Sequence, residues 1–170
     1  VKKRLFLLIG MVLVSGVFFL NAEHGRQALA GEQKDKIVAP AFDLNFVNGG
    51  KALIPNNEHR YTVILFWTTW CPHCAKALKD LSLLAARYSD KIDFYGIGVG
   101  ETPYKIQEYI RHHNIDVSVA ADPTGHIARL YFVRGVPTIA IVDKDGYMFD
   151  YGYALYPMVK RLLDKIKEEG

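Results

Sequence analysis

The chain has 170 residues, half of them hydrophobic, with 21 Lys and Arg against 18 Asp and Glu and a formal net charge of +3. That is enough for one globular domain plus an appendage. Four of the basic residues and one of the acids fall in residues 1–30, so residues 31–170 carry 17 of each sign and no net charge. A phosphate-tracking surface is therefore not expected, and nucleic acid is set aside as a partner.

In chain order, Lys2, Lys3 and Arg4 precede an uncharged apolar run from Leu5 to Leu20. A polar stretch follows, ending in Ala28-Leu29-Ala30-Gly31. Positive charge, apolar run and a small-x-small site in that order read as an export signal over residues 1–30. A cleaved signal is the first reading and an uncleaved membrane anchor the alternative, since the run is a little short for a ~20-residue span. Residues 31–36 read as a linker and 37–170 as the folded domain.

Ala41 to Val47 alternates like a half-buried strand, and Asn48-Gly49-Gly50 is a turn. Tyr61 to Trp67 is a short run rich in β-branched and aromatic residues, as in a strand buried on both faces. Pro72 suits a first helical turn, and the helix runs to about Tyr88 with Ala77, Leu78, Leu81, Leu84 and Ala85 on one face. Ile92 to Val99 is a strand. Thr102-Pro103 opens a helix that ends near His112 and His113. Val117 to Ala120 is a short strand, and Asp122-Pro123 starts another helical stretch through Leu130 and Tyr131. After the break at Gly135-Val136-Pro137, Thr138 to Val142 and Tyr147 to Tyr151 form a hairpin about Asp143-Lys144-Asp145-Gly146. A helix from Pro157 to Lys167 closes the chain. This order predicts an α/β fold with a central sheet covered on both faces.

The two cysteines, Cys71 and Cys74, stand where a buried strand gives way to a helix. A helix start carries unpaired N–H groups and partial positive charge, which favour an anion. The first cysteine is expected to be exposed there as the nucleophilic thiolate, with the second, one turn on, resolving the mixed disulfide. A disulfide between them would close almost no loop, so its expected use is chemical rather than structural. Structural zinc needs four ligands, and there is no second cysteine pair. The one histidine cluster, His112-His113, reads as a solvated helix end.

Phe66-Trp67-Thr68-Thr69-Trp70-Cys71-Pro72-His73-Cys74 resembles the active-site segment of thioredoxin-like proteins. Val133-Arg134-Gly135-Val136-Pro137-Thr138 resembles the second signature of that family, a loop carrying a cis-proline. The two motifs occur in the family's order, and the resemblance covers about residues 37–168. It implies a thioredoxin-like fold with a mixed sheet and an N-terminal strand extension. It also implies that the backbone of Val136, beside Pro137, pairs with an extended substrate strand, a form of β-augmentation. Trp70 is expected to flank the sulfur as an apolar contact surface. The working group would be the redox-active Cys71–Cys74 disulfide, with no other cofactor and no metal.

The strand-led N-terminus is similar to the exported TlpA/ResA/DsbE branch, whose members typically reduce disulfides outside the cytoplasm, often on apocytochrome c. This resemblance implies a monomer at the periplasm or the outer face of a bacterial cytoplasmic membrane, with protein thiol or disulfide substrates and a membrane redox partner that recycles the pair. Pro72-His73 is instead similar to the dipeptide of DsbA, an oxidant. His73 as a cationic neighbour would stabilise the Cys71 thiolate and so the reduced form. Two acids common in the family are missing, with Leu65 six residues before Cys71 and Ala77 three after Cys74. Resolution by Cys74 is therefore expected to be slow.

The expected activity is disulfide exchange, as a reductant in cytochrome c maturation or periplasmic disulfide repair, with a DsbA-like oxidant as the alternative. A module delivering copper or haem through Cys71, Cys74 and His73 is the alternative from another class, and would show a distant histidine over the pair. The nucleophile motif of peroxiredoxin-type peroxidases is absent.

Overall fold

Residues 36–55 and 58–170 are described in this computed structural model. The export signal read in residues 1–30 and most of the linker lie outside them. Among the described residues no helix is long and apolar enough to cross a membrane. The described residues form seven strands and four helices in the order β1 (Phe42–Asn45), β2 (Lys51–Ile54), β3 (Tyr61–Trp67), α1 (Pro72–Tyr88), β4 (Ile92–Val99), α2 (Pro103–His112), β5 (Ser118–Asp122), α3 (His126–Leu130), β6 (Thr138–Val142), β7 (Met148–Gly152) and α4 (Leu155–Glu169).

The central sheet runs in the order β5-β4-β3-β6-β7. β3 is parallel to β4, and β4 to β5, while β6 and β7 are antiparallel additions on the other side. Every residue of β3 is buried, because successive side chains point to opposite faces and both faces are covered. Val63, Leu65 and Trp67 join a cluster with Leu78 and Leu81 of α1, Ile106 of α2 and Met158 of α4. Ile64 and Phe66 join the other, with Phe42 and Ile54 of the β1–β2 hairpin and Ala128 of α3. The architecture is thus a mixed five-stranded sheet flanked by helices, as expected.

Several boundaries differ from the sequence expectation. β1 is shorter than Ala41–Val47, and Phe46 makes only an isolated bridge to Ala120. β2, which was not anticipated, pairs antiparallel with β1 in a separate two-stranded sheet. Asp122 does not begin a helix; it ends β5, and its Oδ2 accepts the Ala128 N–H at 2.9 Å, capping a five-residue α3 across the intervening turn. β7 is displaced by one residue, and the register shifts between Ile141 and Val142. α4 starts at Leu155, two residues before Pro157, because an N–H in the first turn has no helical partner and its absence there is tolerated.

Candidate active site

β3 ends at Trp67, and Thr68-Thr69-Trp70 carries the chain to Cys71, the N-cap of α1, with Pro72 in the first helical position. The Cys71 Sγ accepts the Cys74 N–H at 3.3 Å. The same N–H is shared with the Cys71 carbonyl oxygen at 3.1 Å, so the sulfur sits against a first-turn donor at the helix start, where negative charge is favoured. Across the site the Val136–Pro137 bond is cis, as expected from the resemblance. The Val136 carbonyl oxygen stands 3.7 Å from the Cys71 Sγ.

Both cysteines are free and both are buried. Cys71 was expected to be exposed but is only 7% accessible. The Val136–Pro137 loop closes over its sulfur, which a helix start considered alone does not reveal. Cys74 is 0% accessible and packs with Trp67 and Leu78. Burial pushes its thiol up to about 12, the hydrogen bond with Cys71 acts in the same direction, and a backbone contact with Thr68 opposes both. Leu65 lies wholly in the core, and Ala77 is half-buried beside it. Neither expected acid position supplies a carboxylate.

His73 is exposed, and among the described residues no hydrogen bond ties its ring to Cys71. The ring instead lines a cleft of about 490 Å³ with Ala77, Val136, Pro137, Tyr153 and Tyr156. The cleft runs between the start of α1, the Val136–Pro137 loop and the start of α4. Trp70, 71% exposed, stands at the rim of the cysteine loop, whereas Trp67 is core. His112 and His113 end α2; His113 stacks on Tyr109 at 3.9 Å between ring centroids. Among the described residues no group of three or more His, Cys, Asp or Glu is arranged to hold a metal, and no distant histidine stands over the pair.

One charged residue at the site was missed. Glu101 follows β4, is 5% exposed, and accepts from Thr69 twice: from the backbone N–H at 2.8 Å and from the hydroxyl at 2.5 Å. Its signal was present in the sequence. β3 and β4, joined through a helix, are parallel neighbours, so the residues following each emerge side by side at one sheet edge. Tyr109, tilted against Trp67 at 5.1 Å, lines the same side, and burial together with the nearby sulfurs raises its hydroxyl. Two buried atoms there, Trp67 Nε1 and Thr68 Oγ1, have no hydrogen-bond partner among the described residues.

The parallel β3–α1–β4 unit, the antiparallel β6–β7 pair and a dithiol facing a cis-proline loop define a thioredoxin-like protein. Residues 37–149 match the model of the AhpC/TSA family, and the chain belongs to that family. Among curated relatives, it is 27% identical over 148 residues to the thiol-disulfide oxidoreductase ResA of Bacillus cereus, covering 85% of this chain and 84% of the relative. It is 24% identical over 123 residues to the sporulation thiol-disulfide oxidoreductase A of Bacillus subtilis, covering 70% and 74%. Among solved structures, a thiol:disulfide interchange protein of the thioredoxin family from Chlorobium tepidum superposes with a TM-score of 0.66 at 21% identity, covering 76% of this chain and 98% of that one. StoA from Bacillus subtilis does so with 0.60 at 23%, covering 69% and 91%. These last two likenesses establish the fold.

Proposed function

We propose that this chain is a thiol–disulfide oxidoreductase of the ResA, StoA and DsbE type, with Cys71 as nucleophile and Cys74 as resolving thiol. The observation that carries the reading is the Cys71 sulfur at the N-cap of α1, bonded by the Cys74 N–H and faced by the Val136 carbonyl. The Cys71 thiolate attacks one sulfur of a substrate disulfide, and the other sulfur leaves as a thiolate. Cys74 then gives up its proton and attacks the Cys71 sulfur, releasing the second substrate thiol and leaving the Cys71–Cys74 disulfide. Two electrons pass to the substrate, and a membrane thiol partner restores the dithiol. The substrate lies extended along Val136, with Trp70 and the Tyr153–Tyr156 wall beside it.

In this reading the protein works as an exported monomer and in the reducing direction, on protein disulfides of the kind met in cytochrome c maturation or disulfide repair. Support comes from the relatives and from the surroundings of Cys74, which favour an uncharged sulfur. The oxidant reading has its own support in Cys71-Pro72-His73-Cys74. The test is to incubate Cys74→Ser with a disulfide-bonded peptide and with the protein substrates of the periplasm. A mixed disulfide at Cys71 that survives in the variant and collapses in wild type is the expected result. Trapping through Cys74 in a Cys71→Ser variant, with none through Cys71, would reverse the two roles.

A further inference from the structure

Glu101 does more than close a turn. It follows Gly100, which takes a left-handed φ of +70°, and that reversal sends the carboxylate inward beneath the cysteine loop. A buried carboxylate persists only when paired and hydrogen-bonded. Three donors meet this one: the Thr69 N–H, the Thr69 hydroxyl, and the Lys105 Nζ at 2.5 Å. They hold it below the usual carboxylate range despite its burial, so it is an anion at neutral pH. Thr69 stands two residues before Cys71, so the same two bonds fix the loop that delivers the nucleophile. The two members of the ion pair sit differently. The Glu101 side chain is 4% exposed and on the protein side, while that of Lys105 is 55% exposed and reaches it from solvent. The negative end is therefore the less screened by water of the two, and its charge acts on Cys74 to keep the proton on the sulfur.

We infer that Glu101 is a positioning residue whose buried charge, anchored by Thr69 and partly neutralised by Lys105, sets the redox poise of the Cys71–Cys74 pair toward the disulfide. The inference rests on the proposed exchange chemistry and adds to it the group that opposes thiolate formation where Leu65 and Ala77 supply no acid. The dithiol can ionise and the disulfide cannot. An anion nearby therefore disfavours only the reduced form once it begins to lose protons, and makes the couple more reducing.

The sign of the effect makes it testable. Glu101→Gln keeps the shape and an oxygen for Thr69 but removes the charge. Lys105→Met keeps the carboxylate and removes its counter-charge. Each variant is equilibrated with glutathione at about pH 9, where an ordinary thiol has begun to ionise, and the Cys71–Cys74 equilibrium constant is measured, with folding checked by urea unfolding. Glu101→Gln is expected to shift the constant three- to tenfold toward the dithiol, about 15–30 mV for a two-electron couple. Lys105→Met is expected to shift it toward the disulfide. A purely structural buttress would lower stability in both without opposite shifts in potential. Shifts of the same sign, or an unmoved constant in folded Glu101→Gln, overturn the inference. Should Glu101→Gln not fold, Lys105→Met decides alone, and no shift there overturns it. A wild-type chain with no reversible Cys71–Cys74 couple overturns the exchange reading as well, which separates the two failures.

Discussion

At the scale of single residues, the site is governed by what burial does to sulfur. Cys74 holds its proton in the folded protein up to about pH 12, whereas in the unfolded chain an ordinary thiol loses it from about pH 8.5. Between those values the folded state binds more protons than the unfolded state, so stability falls as pH rises. The contribution is complete below about pH 8.5 and is lost progressively toward pH 12, by at most about 1.4 kcal/mol per pH unit. Burial also raises the hydroxyls of Tyr61 and Tyr131, but these act only above about pH 10, where an ordinary tyrosine begins to ionise. Urea unfolding of the reduced protein from pH 8 to 10 is therefore expected to show a declining midpoint, and Cys74→Ala a flatter one. Equal slopes in the two proteins would mean that Cys74 is not the group responsible. Cys71, Cys74 and Pro137 were legible as a pair and a facing loop because their spacing and neighbours are local patterns. The closure of Val136 over Cys71 and the approach of Glu101 to Thr69 were not, because each joins segments some 30 to 65 residues apart.

Among the elements, the tightest constraint lies between β4 and α2. Gly98 has neighbours on both sides in the sheet, Trp67 of β3 and Ala121 of β5. A methyl group at Gly98 would run into the Ile106 side chain of α2, which is itself wholly buried. The glycine lets the helix lie against the sheet, and α2 in turn carries Lys105 and Tyr109 to the site. Gly98→Ala is expected to cost about 1–3 kcal/mol through overpacking. Ile106→Val alone is expected to cost about 0.5–1.5 kcal/mol through the lost methylene. The double variant should be more stable than the sum of the two losses predicts, because the shorter side chain makes room for the methyl. Strict additivity in urea titrations would show that the two do not meet. Elements with strong periodicity or a completely apolar pattern, β3, α1 and β4, could be read to the residue. β2 and α3 could not. A four-residue strand with one buried side chain and a five-residue helix hold their shape through tertiary contacts, Leu44 opposite Ala52 for one and Asp122 for the other.

For the whole molecule, the direction of the reaction and the stability of the fold are one quantity seen from two sides. The folded and unfolded chains each have a Cys71–Cys74 couple, and a thermodynamic cycle joins the two potentials to the stabilities of the oxidised and reduced folds. If the fold makes the couple more negative than it is in the unfolded chain, the disulfide form must be the more stable fold, by about 1.4 kcal/mol for every 30 mV. A reductant therefore has a stabilising disulfide, and an oxidant a destabilising one. Three features of this molecule favour the first. Cys74 is held as a thiol by burial, the Glu101 anion lies behind the loop, and His73 turns its ring toward the open cleft without bonding the sulfur. Each either penalises the ionised dithiol or withholds the contact that would stabilise it, and none acts on an uncharged disulfide. The oxidised protein is thus expected to unfold at a higher urea concentration than the reduced protein above about pH 8.5, where an unfolded thiol ionises and the buried one does not. Glu101→Gln should narrow that gap in proportion to its shift in potential, since the cycle must close for the variant too. A reduced form that outlasts the oxidised one would place the molecule on the oxidising side and make Cys71-Pro72-His73-Cys74, rather than the buried acid, the dominant influence on its poise.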